Sequence, residues 1–475
     1  MNGEVSSYSM QRPFSRIVIH TIGAGFGESV VIELPDCSLG IVDPYCGRTV
    51  TEEDRDRFHP IIRFVMKDQF KDWPIRFVAI THPHLDHCRG AGHFLQHFSK
   101  RINELWVPEC FSTSGTRLYL KALRKASRLD PHEEQVYAAP GTLLHEVKAI
   151  EEWMEQNENK YRHMNETSNF PVGARSSRVT MQFFAPVSRM TRKHSRAFSP
   201  LEDYCKEYSR SPELRAGQHC NPFDPSIFPS DINWNDLSMA FLVSWEQVKV
   251  LLCGDVETAT WNVFSAHQAA ASTEQDSWSP NLVKIGHHGS RSGIHESLLS
   301  CLGSDTIGVL TPFNRGRTDQ RLPSPEGLDP YRSRVRDIYT SSRDACDRVG
   351  PWAPPEEHQP DQEEIDAECL TDDVREQMPE DNALQGAFSQ SNQGLEAFLS
   401  GSNGLPAGVL SSSETAFGFS RSLHPYIRAA VLHRTLPSST DDEESYRISV
   451  YIDSAGNVVK IVKGRRTGKL EQANT

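Results

Sequence analysis

Apolar residues along the chain gather in short runs broken by polar turns. Three such runs, SRIVIHTIG, ESVVIELP and CSLGIVDP, fill residues 15–43 and predict an opening β-meander. Glu52–Phe70 is polar and amphipathic and predicts a helix, IRFVAI predicts a strand, and Gly90–Phe98 predicts a second helix. Strand, loop and helix in that order mark an α/β fold. Further on, LWVP reads as a strand, Tyr119–Arg128 and Leu143–Glu158 as helical patterns, and SRVTMQFFAPV as a strand. The runs LSMAFLVSW and VKVLLCGD, parted by Glu246 and Gln247, predict a hairpin, and NLVKIG and DTIGVLTPFN predict two more strands.

The pattern also divides the chain. A core domain spans 16–345 and carries an inserted stretch at about 111–232, of which 190–232 is rich in Ser and Pro and reads as irregular. Residues 349–415 turn to Pro, Glu, Asp, Gln, Ser and Gly with few large apolar groups, the composition of a flexible linker. Order resumes over 420–465 with a helical pattern, HPYIRAAVLHR, and a hairpin, YRISVYIDSAGNVVKIVKG, which the family resemblance set out below would use to complete the second sheet of a sandwich.

Composition narrows the function classes. With 475 residues the chain exceeds one ordinary core, so a large domain with insertions, or two domains, is expected. A formal charge of −13 disfavours indiscriminate binding to nucleic acid. Basic clusters remain at KALRKASR, MTRKHSR, NRGRTDQR and KIVKGRR, each of which, alone, reads as solvated surface. The 10 cysteines form no C-x-x-C pair and are expected to be reduced thiols. No run of eighteen apolar residues occurs, and the first residues lack the apolar stretch of a secretion signal, so a cytoplasmic protein that avoids membranes is expected. GAGFGES lacks the third glycine of a dinucleotide loop and reads as a tight turn.

The concentrated chemistry lies in THPHLDH, directly after the apolar run Ile75–Ile80. His82 and His84, two apart on extended backbone, share a side, while Asp86 and His87 follow where the loop turns into a helix. A lone histidine beside a strand is usually a hydrogen-bonded core or surface residue. Four ligand side chains at H-x-H-x-D-H spacing point instead to a metal, and imidazole with carboxylate suits a borderline divalent ion such as zinc. Two further strand ends carry candidate ligands: Asp255 in LLCGDVE, and His287 with His288 in KIGHHGS. Strand ends of this kind are where α/β proteins gather their sites. His93 and His97 are set on a half-buried helical flank, and Cys88 and Cys253 read as core thiols.

Together these residues resemble the metallo-β-lactamase superfamily, whose first metal motif is HxHxDH, here His82, His84, Asp86 and His87. The resemblance is strongest to the branch holding the hydrolase domain of bacterial DNA-uptake channel proteins and the choline-phosphate esterases of teichoic acid. Its marks are the turn Gly25–Phe26–Gly27–Glu28, the pair Gly254–Asp255, the stretch NDLS at Asn235–Ser238, and HHGS at His287–Ser290. It covers about residues 16 to 340. Three positions depart from the pattern: Pro44 follows Asp43, Leu322 precedes PSPE, and no separate histidine is evident between the first motif and Asp255. His132, His145, His163, His194 and His219 are available there, none in a recognisable setting.

The resemblance implies a four-layer αββα sandwich holding two divalent ions, zinc first and manganese second, ligated by His82, His84, Asp86, His87, Asp255 and His288. Asp255 would bridge them and Asp86 would orient the nucleophilic water. His288 is taken as the ligand and His287 as a hydrogen-bond donor to substrate, with the reverse assignment left open. Ser290, Asn314, Arg291 and Arg315 are candidate substrate contacts, and Arg317 and Arg321 lie close by. The expected activity is phosphodiester hydrolysis, on nucleic acid first and small phosphodiesters next. The alternatives are hydrolysis of an ester, thioester or lactam, and a non-catalytic metal-containing module that recruits a protein partner through the C-terminal region.

Overall fold

A computed structural model describes residues 16–23, 27–47, 59–109, 143–173, 178–197, 233–271, 279–314, 321–342, 446–463 and 467–470. Their strands are β1 Arg16–Ile22, β2 Ser29–Leu34, β3 Ser38–Val42, β4 Ile75–Ala79, β5 Ile102–Pro108, β6 Tyr161–Met164, β7 Asn169–Val172 and β8 Val179–Ala185. The others are β9 Ala240–Trp245, β10 Val248–Leu252, β11 Leu282–Lys284, β12 Ile307–Leu310, β13 Asp337–Thr340, β14 Arg447–Asp453, β15 Val458–Lys463 and β16 Gly468–Leu470. The helices are α1 Pro60–Val65, α2 Leu85–Cys88, α3 Ala91–His97, α4 Leu143–Gln156, α5 Thr258–Ala271, α6 Glu296–Leu299 and α7 Pro325–Arg332.

Two sheets form, in the orders β15-β14-β1-β2-β3-β4-β5-β6 and β16-β13-β12-β11-β10-β9-β8-β7. Each joins an antiparallel part to a parallel one: β3 to β6 run parallel in the first sheet, and β10 to β13 in the second. Both faces of the central strands are buried, which is why the sequence shows near-continuous apolar runs there. Along β10, Val248, Val250 and Leu252 face the other sheet, while Leu251 points to the helices outside. Between the sheets, Ile17, Val30, Phe77, Trp106, Phe183 and Phe241 pack into one layer, with the rings of Phe77 and Trp106 stacked 3.9 Å apart. Outside the first sheet α1, α3 and α4 bring Ile61, Phe64, Phe94 and Ile150 onto Val31, Ile41 and Val78. Outside the second, Trp261, Phe264 and Tyr331 cover Leu242, Leu251 and Val283. The architecture is therefore a four-layer αββα sandwich, the layering expected from the metallo-β-lactamase resemblance.

Several expectations are corrected by this arrangement. The C-terminal hairpin, β14 and β15, joins the first sheet, where β14 pairs with β1 from Arg16↔Asp453 to Ile22↔Arg447, and only β16 reaches the second. Alternating apolar positions fit either sheet, so the pattern alone could not choose. Among the described residues of the stretch Glu52–Phe70 the helix covers Pro60–Val65, after which the chain turns to bring Phe70 onto Phe64, their rings 5.0 Å apart. Residues 190–197 are helical rather than irregular, with Met190 and His194 buried one turn apart. The stretch 111–232 also supplies α4 and the strands β6, β7 and β8 of the two sheets. The Tyr119–Arg128 pattern, the linker 349–415 and the helical pattern HPYIRAAVLHR lie outside the described residues.

Candidate metal centre

The site forms where the carboxyl ends of the parallel strands of both sheets meet. β3 delivers Asp43, β4 delivers Thr81 to His87, β10 delivers Asp255, β11 delivers His287 and His288, and β12 delivers Thr311. Backbone bonds strap these loops together. Glu28 N donates to Asp86 O (3.0 Å), Met239 N to Thr81 O (3.1 Å), and His287 N to Gly254 O (3.0 Å). Two glycines permit the close approach: a Cβ on Gly27 would stand 2.5 Å from Asp86 O, and one on Gly254 2.5 Å from Met239 O, both at positive φ. Asp43, His287 and His288 also adopt left-handed backbone, with φ of 50°, 43° and 53°. Such strain is unusual for residues with a side chain and gathers at sites where orientation matters.

Asp86, His87, Asp255 and His288 bring one ligand atom each into a single cluster. His288 Nε2 lies 3.1 Å from Asp86 Oδ2 and 3.6 Å from Asp255 Oδ2, and His87 Nε2 lies 3.3 Å from Asp255 Oδ2 and 3.7 Å from Asp86 Oδ2. Ligands about 2.0–2.2 Å from one tetrahedral ion stand about 3.3–3.6 Å from each other, so these separations fit a divalent ion. His87 Nε2 and Asp255 Oδ1 are buried with no hydrogen-bond partner, as unfilled ligand positions should be. On the other flank of Asp255, His82 Nε2 is 4.0 Å from Oδ2 and 2.9 Å from His84 Nδ1.

Each inward nitrogen is set by what its far nitrogen touches. His87 Nδ1 donates to Asp43 Oδ2 (2.8 Å), and Asp43 also accepts from Thr81 N and Thr81 Oγ1, both at 2.7 Å. His288 Nδ1 donates to the carbonyl of Thr311 (2.9 Å). Both rings therefore turn Nε2 toward the cluster, the arrangement that orients metal-binding histidines. Ser238 Oγ accepts from Asp255 N (2.9 Å) and sits 3.3 Å from His82 Nδ1.

Electrostatics point the same way. Burial opposes an imidazolium at His87, yet Asp255, Asp86 and Asp43 outweigh it and hold its pKa well above the ordinary value. At His288, Asp255 and Asp86 likewise overcome burial and raise the pKa. Asp255, which burial alone would push up, is held well below the usual carboxylate range by His87 and His288. His82 is lowered by burial and then by its neighbours His87 and His84. The carboxylates thus favour positive charge at His87 and His288, charge that a divalent ion would supply in place of protons.

Behind the cluster lies a buried ion pair. Lys284 Nζ donates to Glu28 Oε2, which also accepts from Thr311 Oγ1 (2.6 Å) and stands 3.8 Å from His288 Nδ1. Glu28 belongs to the loop before β2 and Lys284 to β11, so the pair crosses from one sheet to the other. Lys284, more than burial can oppose, keeps the Glu28 pKa low.

Of the other residues named from sequence, His287 and Ser290 adjoin the cluster. The rings of His287 and His288 are 6.4 Å apart, and Ser290 Oγ lies 3.1 Å from Ser292 Oγ. Asn314 ends the β12 loop, with its Oδ1 buried and unpartnered, Arg291 is exposed, and Arg315 lies outside the described residues. Of the five histidines considered for the first motif, His145, His163 and His194 are described and none joins the cluster, and His132 and His219 lie outside the described residues. His194 instead faces Asp236 at 3.5 Å. Of the described cysteines, Cys88, Cys253 and Cys301 are free thiols. Sequence reasoning missed Asp43 as an anchor, Lys284, and Glu257, whose place after the Gly254–Asp255 pair was the one available signal.

Residues 22–103 match the family model described as the metallo-beta-lactamase superfamily. That stretch is thus similar to the superfamily, and the His and Asp cluster it helps to build fits a divalent metal. No curated protein matches the sequence. Among solved structures, a mutant of CmlA beta-hydroxylase is similar at 12% identity and a TM-score of 0.26, over 57% of this chain and 36% of that one. This chain thus spans little more than a third of that protein. A metallo hydrolase from the hyperthermophilic archaeon Ignicoccus hospitalis is similar at 12% identity and a TM-score of 0.30, over 67% of this chain and 94% of that one. At that distance neither bears on what this chain does. No helix among the described residues is long and apolar enough to cross a membrane.

Proposed function

We propose that the protein is a metal-dependent phosphodiesterase, with nucleic acid as the first substrate class to test, of the branch that includes DNA-uptake hydrolase domains and choline-phosphate esterases. One observation carries the hydrolytic reading: Asp255 Oδ2 stands within 4.0 Å of His82 Nε2 on one side and of His87 and His288 Nε2 on the other. A single carboxylate is thereby shared between two donor groups, His82 with His84 and Asp86 with His87 and His288, which is how a pair of ions is held side by side. Imidazole nitrogen with carboxylate oxygen suits zinc, and manganese after it. When bound, divalent ions supply Lewis acidity toward a water and toward the substrate's phosphoryl oxygens.

The chain's own groups do the rest. Asp86 Oδ2 orients the attacking water and accepts its proton, while the anchors at Asp43 and Thr311 keep the imidazoles from turning. Ser290 Oγ and the Asn314 amide offer donors to the phosphodiester oxygens, His287 stands beside them, and the exposed Arg291 and Arg321 meet flanking phosphates. The test compares the full-length protein with Asp86→Ala on bis-p-nitrophenyl phosphate, a lactam, and linear, circular and single-stranded DNA, with zinc or manganese added. We expect near two equivalents of metal and phosphodiester turnover in the wild type, and a loss of at least about 100-fold in Asp86→Ala that still folds. Full metal content with turnover of the lactam alone, or of nothing, would reject the proposal.

A further inference from the structure

Beside the cluster lies a polar group whose hub is Glu257, two residues beyond Asp255. Its carboxylate accepts from Asn233 Nδ2 (2.7 Å), Asn235 Nδ2 (3.0 Å) and Ser292 Oγ (3.3 Å), and its Oε1 lies 3.2 Å from His287 Nδ1. A carboxylate only accepts, so the hydrogen of a neutral His287 ring belongs on Nδ1, between Glu257 and Ser292 Oγ at 2.9 Å. The opposite nitrogen, Nε2, then carries the lone pair and accepts from Asn235 Nδ2 at 3.4 Å. Glu257 also fixes the amide of Asn235, because a flipped amide would set Oδ1 against the carboxylate. In the orientation that results, Asn235 Oδ1 has no partner although the residue is 4% exposed.

His287 alone of the paired histidines is partly open, its side chain 20% exposed against 2% for His288. Its backbone is held in place by the bond from His287 N to Gly254 O (3.0 Å), so the ring's remaining freedom is rotation about its own side-chain bonds. Four independent donors converge on Glu257, more than a structural cap on one loop requires. We propose that Glu257 is a positioning residue: it takes the Nδ1 hydrogen of His287 and so keeps Nε2 as the acceptor that the site offers to a water or hydroxyl. For its activity arm the inference rests on the phosphodiesterase reading above; its spectroscopic arm does not.

The experiment uses full-length, zinc-loaded protein labelled with ¹⁵N-histidine, the His287 signal being the one absent from His287→Gln. In the wild type this ring should show the Nδ1–H tautomer, and in Glu257→Gln a mixture of both. Glu257→Asp, which keeps the charge but withdraws it, should give the same mixture and decides the matter if Glu257→Gln does not fold. With bis-p-nitrophenyl phosphate, Glu257→Gln should lower kcat about 100-fold with metal content unchanged, and Glu257→Gln combined with His287→Gln should be no slower than His287→Gln alone. An unchanged His287 tautomer in both Glu257 variants, or losses that multiply in the double variant, would overturn the inference. A wild type inactive on phosphodiesters defeats the phosphodiesterase reading and leaves the tautomer to decide the role of Glu257.

Discussion

The two shoulders of the candidate metal centre are built on different plans. The first sheet supplies His82, His84, Asp86 and His87 from one seven-residue loop, and steadies it with a buried carboxylate, Asp43, that takes three hydrogen bonds. The second sheet supplies Asp255 and His288 from two loops, and steadies His288 with a backbone carbonyl, that of Thr311. A side-chain anchor adds charge and raises ligand basicity, but one substitution removes it. A main-chain anchor adds no charge and survives substitution. The first shoulder should therefore be the electrostatically tuned and mutation-sensitive one, the second the rigid one, with Glu28 and Lys284 bracing the two.

The brace gives the largest expected effect. Glu28→Gln leaves Lys284 buried without a counter-charge and should cost about 3–5 kcal/mol of stability. Adding Lys284→Met should restore most of it in a denaturant titration. No rescue would mean that the pair does not join the shoulders. Next comes the contrast itself. Asp43→Asn should weaken zinc binding about 10–100-fold in a chelator competition. Thr311→Ala keeps the carbonyl to His288 and loses only the hydroxyl donated to Glu28, so its zinc affinity should stay within about threefold. Equal losses in the two variants would break the comparison.

The smallest effect comes from behind the first shoulder. Burial pushes the Glu146 carboxyl up to about 7, against bonds from the backbone of Gly90 and Gly92. Its folded pKa exceeds the unfolded one, so its contribution is full below about pH 4.5 and is lost as the pH rises through 7. Glu146→Gln keeps an acceptor for Gly92 N and should raise stability by about 1 kcal/mol at pH 8 while losing that advantage near pH 4.5. His59 runs in the opposite direction. Burial pushes it down to about 3, so its share of stability stands above pH 6.5 and is lost as the pH falls toward 3. Thermal melts at pH 4.5, 6.5 and 8 separate the two.

The same asymmetry decided what could be read from sequence. The first shoulder was legible because its candidate ligands sit within seven residues of one another, after a strand whose apolar run is unmistakable. Asp255 and His288 were found through short local signs, GD and HHGS. The groups that hold the ligands were hidden, since their partners are distant in the chain: Asp43 from His87 by 44 positions, Lys284 from Glu28 by 256. The long apolar strands were equally legible, whereas the short β6, β7, β13 and β16 were not, and neither was sheet membership. The run RISVYID suits either sheet, and only its pairing with β1 determines which.

The way the last described residues are shared between the sheets has a further consequence. Residues 447–463 are laced into one half of the sandwich and 468–470 into the other, across a gap of more than a hundred positions from β13. A backbone cut anywhere between 343 and 445 would therefore not release the tail. The two pieces would remain zipped along seven consecutive residue pairs of β1 and β14, and the molecule would behave as complementing fragments that copurify and separate only on denaturation.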